Sequence, residues 1–252
     1  MKLDFKQIDK LKSKLDYYRP LPSEVVKNLH EDMLLKMTYN SNAIEGNTLS
    51  LKETKVVLEG ITIGGKSVTE HLEAINHRDA ILFIEELAQK DQFLNETDIK
   101  SIHALILRHI NDQHAGIYRN SNVIISGAKH LPPHFLHISQ KMHDFIHWYN
   151  QSYNLLHPIE LAARVHVDLV GIHPFIDGNG RTSRLLMNLE LIKAGFPPII
   201  IKVENRLQYY ETLDIAHTTS NYKPFIQLIL QEALQSFAPY FYSLGIEDLN
   251  LE

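Results

Sequence analysis

The residues of this chain whose types suggest chemistry are concentrated at 173–184, which read HPFIDGNGRTSR. Pro174 disfavours the helical conformation of the residue before it, so His173 is expected to leave a helix end and face a cleft. An imidazole has an ordinary pKa of about 6.5 and can therefore accept a proton near neutral pH. These two residues predict a general base at the edge of a sharp turn.

The turn itself is suited to binding an anion. Gly178, Asn179 and Gly180 allow several backbone N–H groups to converge where a new helix begins, and the first helical turn supplies further free amides. Arg181 and Arg184 follow three residues apart on one face, although the helix dipole disfavours each cation there by about 0.3–1 kcal/mol. Because both break the same local rule, they favour a functional explanation, and two guanidinium groups beside an amide nest suit a polyphosphate.

An acidic residue lies between the histidine and the glycines. One carboxylate, here Asp177, is what a phosphate-bridging Mg²⁺ typically takes from a protein, and its other ligands are waters and phosphate oxygens. Each of these residues alone is most simply interpreted as part of a solvated surface turn. Together, within a few consecutive residues, they predict a nucleotide site.

A second stretch, residues 60–67, reads GITIGGKS and matches the phosphate-binding P-loop pattern. A P-loop requires a buried strand before it and a helix after it. The preceding residues instead carry an amphipathic pattern, with a capping box from Ser50 and Glu53. We therefore predict a loop between two helices, with its glycines in turns and Lys66 in solvent.

Helical periodicity dominates the elements that must position these residues. Only residues 117–126, IYRNSNVIIS, have the β-branched residues and central turn of a hairpin. The sequence thus predicts an all-α helical bundle with one small β-hairpin flap. The helical segments are predicted at 51–60, 69–90, 98–110, 137–150, 158–172, 180–194, 205–217 and 222–240.

Bulk composition narrows the class of protein. The chain has 252 residues, of which 44% are hydrophobic and 22% charged, as is ordinary for a soluble globular protein. A net charge of -5 gives no reason to expect nucleic acid as a partner. The absence of cysteine excludes disulfides and thiolate metal sites. No apolar run approaches the roughly 20 residues of a membrane helix, so we predict a cytoplasmic protein without a membrane partner.

Residues 173–181, HPFIDGNGR, resemble the signature of the Fic family, and Arg184 matches its extended form. The resemblance implies an all-helical core with a short flap, and an enzyme that transfers AMP from ATP to a hydroxyl side chain of a target protein. It divides the chain into an N-terminal helical region at 1–95, a Fic core domain at 96–235 and a C-terminal helix end and tail at 236–252.

The resemblance also implies a role for each residue of the site. His173 would deprotonate the target hydroxyl, and Asp177 would bind Mg²⁺, or in its place Mn²⁺ or another divalent ion. His217 replaces an asparagine that is expected near the adenine base of the nucleotide. The ATP contacts would be Gly178, Asn179 and Gly180 around the α-phosphate, Arg181 at the β-phosphate, Arg184 at the γ-phosphate, Ile125, Ser126 and Gly127 in a flap running from Ile124 to Ala128, and Tyr209, Tyr210 and His217 near the adenine.

Residues 41–46, SNAIEG, resemble the inhibitory helix motif of self-inhibited Fic proteins, with Ser41 and Glu45 as its marked positions. A Glu45 carboxylate that reached Arg184 would form a bidentate pair and occupy the group meant for the γ-phosphate. ATP would then bind with its α-phosphorus misaligned for attack. The alternative interpretation is a capping or surface glutamate at a fraying helix end.

Several functions remain compatible with these residues. The same site could remove AMP from a modified protein, or transfer another phosphate-bearing group such as UMP or phosphocholine. A binding module that senses nucleotide without catalysis is a further class, which the intact His173, Asp177 and Arg181 disfavour. The expected partners are ATP and one or more target proteins, and a homodimer is left open.

Overall fold

The computed structural model describes residues 3–90 and 92–246, and within these ranges no residue lies in a β-strand. The prediction of an all-α protein is therefore confirmed. The helices of the described ranges are α1 (Lys6–Tyr17), α2 (Ser23–Ile44), α3 (Leu51–Leu58), α4 (Val68–Ala88), α5 (Glu96–Leu107), α6 (Ile138–Ser152), α7 (Pro158–Ile172), α8 (Asn179–Lys193), α9 (Arg206–Thr219), α10 (Lys223–Ser236) and α11 (Ala238–Ser243), with short 3₁₀ helices at Phe135–His137 and Val203–Asn205.

The predicted hairpin at 117–126 is wrong, because this segment folds as a loop of turns and extended coil. A buried arginine organises it. Arg119 donates from its backbone N–H to the carbonyl of Pro174 (2.9 Å) and from Nε to the carbonyl of His173 (2.8 Å). Its Nη1 donates to the carbonyl of Ser121 at 2.7 Å. The β-branched residues favour a strand locally, but these side-chain contacts tie the segment to the α7–α8 connection instead of to a second strand.

The P-loop look-alike at 60–67 is the loop that joins α3 to α4, as predicted. The predicted capping box of Ser50 and Glu53 is present at the start of α3. Lys66 was predicted to lie in solvent, but its side chain is only 20% exposed. Its Nζ donates to the carbonyl of Thr48 at 2.6 Å and lies 3.7 Å from a carboxylate oxygen of Glu53.

Helices α7 and α8 lie between two hydrophobic clusters. One cluster joins them to α1, α9, α10 and α11, and the other joins them to α4, α5 and α6. On α7, for example, Ala163 and Val167 face the first cluster, while Val165 and Leu169 face the second. Burial on both sides fixes the α7–α8 connection, which is the segment carrying the predicted chemistry.

The terminal regions contribute to these clusters. Ile8 and Leu15 of α1 and Phe241 of α11 belong to the first cluster. The division of the chain at residues 95 and 235 stays a prediction, and residues 247–252 of the predicted tail lie outside the described residues. None of the helices in the described ranges is both long and apolar enough to cross a lipid bilayer.

Candidate active site

His173 ends α7 in the left-handed conformation, with a φ of 51°, and Pro174 follows it. This departure from the helix was predicted from the His-Pro pair. The ring Nδ1 lies 3.3 Å from the carbonyl oxygen of Val170. A carbonyl only accepts, so Nδ1 carries the hydrogen and Nε2 is left with the lone pair of the neutral ring.

Burial is the largest influence on the pKa of His173, and it lowers the pKa below its ordinary value. The Arg119 guanidinium lowers it further, whereas the Val170 carbonyl and the carboxylates of Glu45 and Asp177 act in the opposite direction. The imidazole is therefore neutral at pH 7. A neutral ring with a free Nε2 is the form that a general base requires.

The turn between α7 and α8 is held from within by Asn179. Its Oδ1 accepts from the backbone N–H of Phe175 and its Nδ2 donates to the carbonyl of Phe175, both at 2.9 Å. Gly178 precedes the helix with a φ of 74°, a conformation that glycine adopts without strain. The Asn179 side chain is thus engaged by the turn, and what this residue can offer an anion is its backbone N–H at the start of α8.

The turn is also held from outside by His103 of α5, which the sequence analysis did not single out. Its Nδ1 accepts from the N–H of Gly116, and its Nε2 donates to the carbonyl of Asp177, both at 2.9 Å. Its ring stacks on Phe175 at 3.6 Å. Burial lowers the pKa of His103 to about 4, so the ring stays neutral and keeps this tautomer. Among 15 histidines, no local pattern marks this one.

The two arginines of α8 each meet a carboxylate from another helix. Arg184 donates from Nη2 to Glu45 Oε1 at 2.7 Å. It also donates from Nε to the Ser41 hydroxyl (3.0 Å) and from Nη2 to the Ser41 carbonyl (2.8 Å). Arg181 donates from Nη1 to Glu73 Oε1 at 3.0 Å. The predicted contact of Glu45 with Arg184 is present, but through one guanidinium nitrogen and not as the expected bidentate pair. The contacts of Ser41 with Arg184 were not predicted.

Both arginine side chains are buried, with exposures of 3% for Arg181 and 5% for Arg184. Burial alone would lower the pKa of Arg184, but Tyr209 and the Glu45 carboxylate outweigh it, and the pKa is raised. His77 is fully buried, and burial first, then the charges of the two arginines, lower its pKa to about 3. Because His77 is neutral, it does not add a third positive charge to those of Arg181 and Arg184 in this region.

Glu45 covers the start of α8. A Cβ placed on Gly180 would collide with Glu45 Oε1, so the carboxylate lies directly against the glycine Cα. The first amides of the helix and the Arg184 guanidinium meet at this point, which is where the sequence analysis expects phosphate oxygens. A residue larger than glycine at 180 would exclude the carboxylate.

A cavity of about 300 Å³ opens beside this carboxylate. Its lining brings most of the predicted site residues together. The predicted residues that are not part of the lining are Ser41, Asp177, Gly178, Asn179, Arg181 and Arg184. The lining residues are Glu45, Ile125, Ser126, Gly127, Ala128, Val170, His173, Gly180, Tyr209, Tyr210, Leu213, Asp214 and His217.

The two tyrosines predicted near the adenine, Tyr209 and Tyr210, differ in burial. Tyr209 is 1% exposed, and its hydroxyl accepts from Arg184 Nη1 (3.2 Å) and donates to Nε2 of the buried His166 (3.0 Å). Tyr210 is 43% exposed and donates to the carbonyl of Ile44 at 3.1 Å. Tyr209 therefore positions Arg184, whereas Tyr210 leaves its ring open to a ligand.

The flap is fastened to α9 and α7. The backbone N–H of Lys129 donates to Asp214 Oδ1 at 3.1 Å, and His130 Nε2 donates to the carbonyl of Gly171 at 2.8 Å. His217 Nε2 donates to the carbonyl of Val167 at 2.9 Å, with its ring 4.5 Å from that of His130. These contacts place the flap over the cavity, and the sequence analysis missed both Asp214 and His130.

Asp177 is the candidate metal ligand. Its side chain is 64% exposed; Oδ1 accepts from the N–H of Gly178 at 2.6 Å, and Oδ2 lies 3.5 Å from Arg181 Nη2. Within residues 3–90 and 92–246, no group of three or more metal-binding side chains occurs. One exposed carboxylate fits a Mg²⁺ ion held jointly with nucleotide phosphates and waters, and does not fit an ion held by protein alone.

Comparison with known proteins identifies the family of this chain. Residues 93–191 match the model of the Fic/DOC family. The protein adenylyltransferase Fic of Nematostella vectensis is 38% identical over 99% of this chain and 59% of its own length. The chain spans about half the length of the curated relatives it matches.

Solved structures agree with the fold over nearly all of the chain. A Fic domain-containing signaling protein from Bacteroides thetaiotaomicron has a TM-score of 0.87 and 29% identity, covering 96% of this chain and 99% of that one. A segment of Fic-1 from C. elegans has a TM-score of 0.84 and 33% identity, covering 95% and 72%. With its helical bundle and its 173–184 turn, the chain belongs to the Fic/DOC family.

Proposed function

We propose that this protein transfers AMP from ATP to a serine, threonine or tyrosine hydroxyl of a target protein, and of itself, and that Glu45 restrains the reaction through Arg184. One observation carries the proposal: a single cavity collects His173, the start of α8 at Gly180 and the flap. The relatives named protein adenylyltransferase Fic support the same reaction.

The geometry suits nucleophilic substitution at the α-phosphorus. His173 Nε2 accepts the proton of the target hydroxyl, and that oxygen forms a bond to the α-phosphorus while the bond to the bridging oxygen of the β-phosphate breaks. Pyrophosphate leaves, and AMP remains on the target. The backbone N–H groups of Asn179 and Gly180 face the α-phosphate oxygens, and a Mg²⁺ ion at Asp177 would supply charge neutralisation for the phosphates.

The remaining residues position the nucleotide. Arg181 holds the β-phosphate and Arg184 the γ-phosphate, while Tyr210 and His217 border the base. Residues 125–127 of the flap cover the nucleotide and present the target backbone to His173. Glu45 competes with the γ-phosphate for Arg184, and its carboxylate also lies against Gly180, where the α-phosphate oxygens must pass. The inhibited protein therefore binds ATP in a geometry that is poor for attack.

Removal of AMP from a modified protein is a second candidate, because Glu45 and His173 line the same cavity. A carboxylate there could orient a water molecule toward the phosphorus of an AMP-modified side chain. Transfer of UMP in place of AMP is an alternative that concerns which nucleotide base the site selects, since His217 replaces an asparagine expected near that base. A cytoplasmic location and a homodimer stay predictions.

Labelled ATP tests the proposed reaction. The Glu45→Gly variant, incubated with Mg²⁺ and ATP labelled at the α-phosphate, should label itself and a target at least tenfold more than the native chain, since the competing carboxylate is gone. ATP labelled at the γ-phosphate should transfer nothing. Adding His173→Ala to this variant should lower transfer by about 10²–10⁴-fold while ATP still binds, because only the general base is lost.

The native chain incubated with a pre-modified target tests the second candidate, with Glu45→Gly as its control. Label from the γ-phosphate would indicate kinase chemistry and contradict AMP transfer. Full transfer by the His173→Ala variant would contradict the role of His173 as base.

A further inference from the structure

Glu73, in the second turn of α4, contacts the arginine that Glu45 does not reach. Its Oε1 accepts from Arg181 Nη1 at 3.0 Å, across 108 residues of sequence. The Arg181 side chain is 3% exposed and that of Glu73 is 19% exposed. This ion pair is therefore shielded from solvent, where charge-assisted hydrogen bonds orient their partners strongly.

The Glu73 carboxylate is itself held in one orientation. Its Oε2 accepts from Asn47 Nδ2 at 2.8 Å, and the Glu73 carbonyl accepts from Asn42 Nδ2 at 3.2 Å. Both asparagines belong to the turn that ends α2, where the N–H of Asn47 donates to the carbonyl of Asn42 at 3.1 Å. Because each carboxylate oxygen has a donor, Glu73 offers Arg181 a fixed partner.

A guanidinium group is planar and rigid, so a partner that fixes one of its edges also fixes the direction in which the opposite edge points. Arg181 Nη1 is taken by Glu73, and Nη2 lies 3.5 Å from Asp177 Oδ2, on the side of the 177–180 turn. Arg181 Nε is buried and has no hydrogen-bond partner among the described residues, so Nη2 is the nitrogen that remains for a ligand. It lies toward the phosphate-binding turn, next to the candidate metal ligand.

We propose that Glu73 is a positioning residue, which holds Arg181 so that its Nη2 edge meets the β-phosphate of the bound nucleotide. This inference rests on the proposed function, because it assigns a phosphate to Arg181. It implies that Glu73 supports the binding of nucleoside diphosphates and triphosphates, and contributes nothing to a monophosphate. A purely structural ion pair would affect both classes of nucleotide alike.

The experiment compares ADP and AMP binding by calorimetry, with Mg²⁺, in the Glu45→Gly chain and in the same chain carrying Glu73→Ala. We expect the affinity for ADP to fall by about tenfold and that for AMP to change by less than about twofold, as for the loss of one charged contact. The matched control is Glu70→Ala, one turn earlier on α4, whose carboxylate bonds Thr48 and Ser67. It should leave the ADP-to-AMP affinity ratio unchanged.

Circular dichroism melting establishes which variants fold. If Glu73→Ala does not fold, Glu73→Gln takes its place. Its amide has a donor N–H₂ group where the carboxylate has a second acceptor oxygen, so it loses the contact with Arg181 or with Asn47 as well as the negative charge beside Arg181, and the ratio should again fall. An unchanged ratio in whichever variant folds overturns the inference. Failure of the Glu45→Gly chain to bind ADP or to transfer AMP would instead overturn the proposed function, so the two failures are distinguishable.

Discussion

At the scale of single residues, the site works by fixing hydrogen positions on its histidines. The Val170 carbonyl sets the tautomer of His173, and the pair of Gly116 N–H and Asp177 carbonyl sets that of His103. Both rings have lowered pKa values because they are buried. His173, the proposed base, is therefore already neutral and can accept a proton at Nε2.

The pKa of His173 gives a prediction for the Glu45→Gln variant. The native pKa lies below 6.5, and the Glu45 carboxylate raises it in part by favouring the imidazolium. Removing that negative charge should lower the pKa further, so the base form should persist to lower pH. NMR titration of the nucleotide-free protein measures this, with His173→Ala identifying the resonance. A midpoint that rises in the variant would contradict the charge assignment.

The chemical roles of residues could be predicted where they follow from spacing along the sequence and from local conformational rules. The His-Pro pair indicated a residue leaving a helix, and two cations in a first helical turn indicated an anion. The clamp of Asn179 on Phe175 and the contact of Glu73 with Arg181 depend on side-chain direction and on distant helices, which spacing does not encode. Asn179 was expected to contact the α-phosphate. Its side chain is instead hydrogen-bonded to Phe175 within the turn, which leaves its backbone N–H for that contact.

At the scale of elements, α2 is the part of the molecule that we propose restrains the site. Ser41 and Glu45 lie one helical turn apart and both contact Arg184 of α8. Gly46 follows with a φ of 102°, so the chain turns away immediately after Glu45. The helix therefore delivers its carboxylate at its last turn, with the serine one turn behind to hold the arginine in place.

We predict that Ser41→Ala weakens this restraint partly. The substitution removes the hydroxyl that accepts from Arg184 Nε, while the Ser41 carbonyl and Glu45 still hold Nη2. Transfer should rise to a level between those of the native chain and Glu45→Gly, and unfolding should become easier by about 1–3 kcal/mol because a buried donor loses its partner. Auto-labelling and denaturant titration measure the two effects.

Thr38→Val, one turn earlier on α2, is the matched control. The Thr38 hydroxyl is buried and has no hydrogen-bond partner within residues 3–90 and 92–246, so its removal should leave transfer unchanged. Equal labelling by Ser41→Ala and the native chain would show that the serine does not support the restraint.

Helices were the predictable elements, because their apolar periodicity and caps are local. The predicted capping box at Ser50 forms. A second capping box forms at Ser67, where none was predicted although the same local spacing is present. The segment 117–126 has a strand-like composition but becomes a loop, since Arg119 binds it to the α7–α8 connection through backbone carbonyls. A single buried side chain thus outweighed a run of β-branched residues, and no local pattern in the segment announces that contact.

At the scale of the whole molecule, burial of α7 and α8 between two clusters places several histidines in apolar surroundings. The pKa is about 3 for His77 and about 4 for His103, and it lies well below the ordinary value for His166. Burial is the largest cause in each case. The same lowering, to a lesser degree, occurs at His173 and His217.

These shifts predict a loss of stability in mild acid. A histidine with a lowered folded pKa contributes stability that is fully present above the unfolded pKa of about 6.5 and is lost as the pH falls. Between pH 6 and 5, the three most deeply buried histidines should give unfolding an uptake of about two to three protons, a slope of about 3–4 kcal/mol per pH unit. The raised pKa values of the buried carboxyl groups of Asp168, Glu190 and Glu232 act in the opposite direction. Denaturant titrations across this range measure the slope. A free energy of unfolding that stays level from pH 6 to 5 would contradict the prediction.

Under the proposed restraint, the contact of the Glu45 carboxylate with Gly180 makes the glutamate a tethered antagonist. A ligand attached to its own receptor acts at an effective concentration on the order of millimolar or above, set by the fold and independent of how dilute the protein is. Dilution or dialysis therefore cannot relieve it. On this proposal each molecule carries its own antagonist, and activation requires the end of α2 to be displaced in each molecule separately.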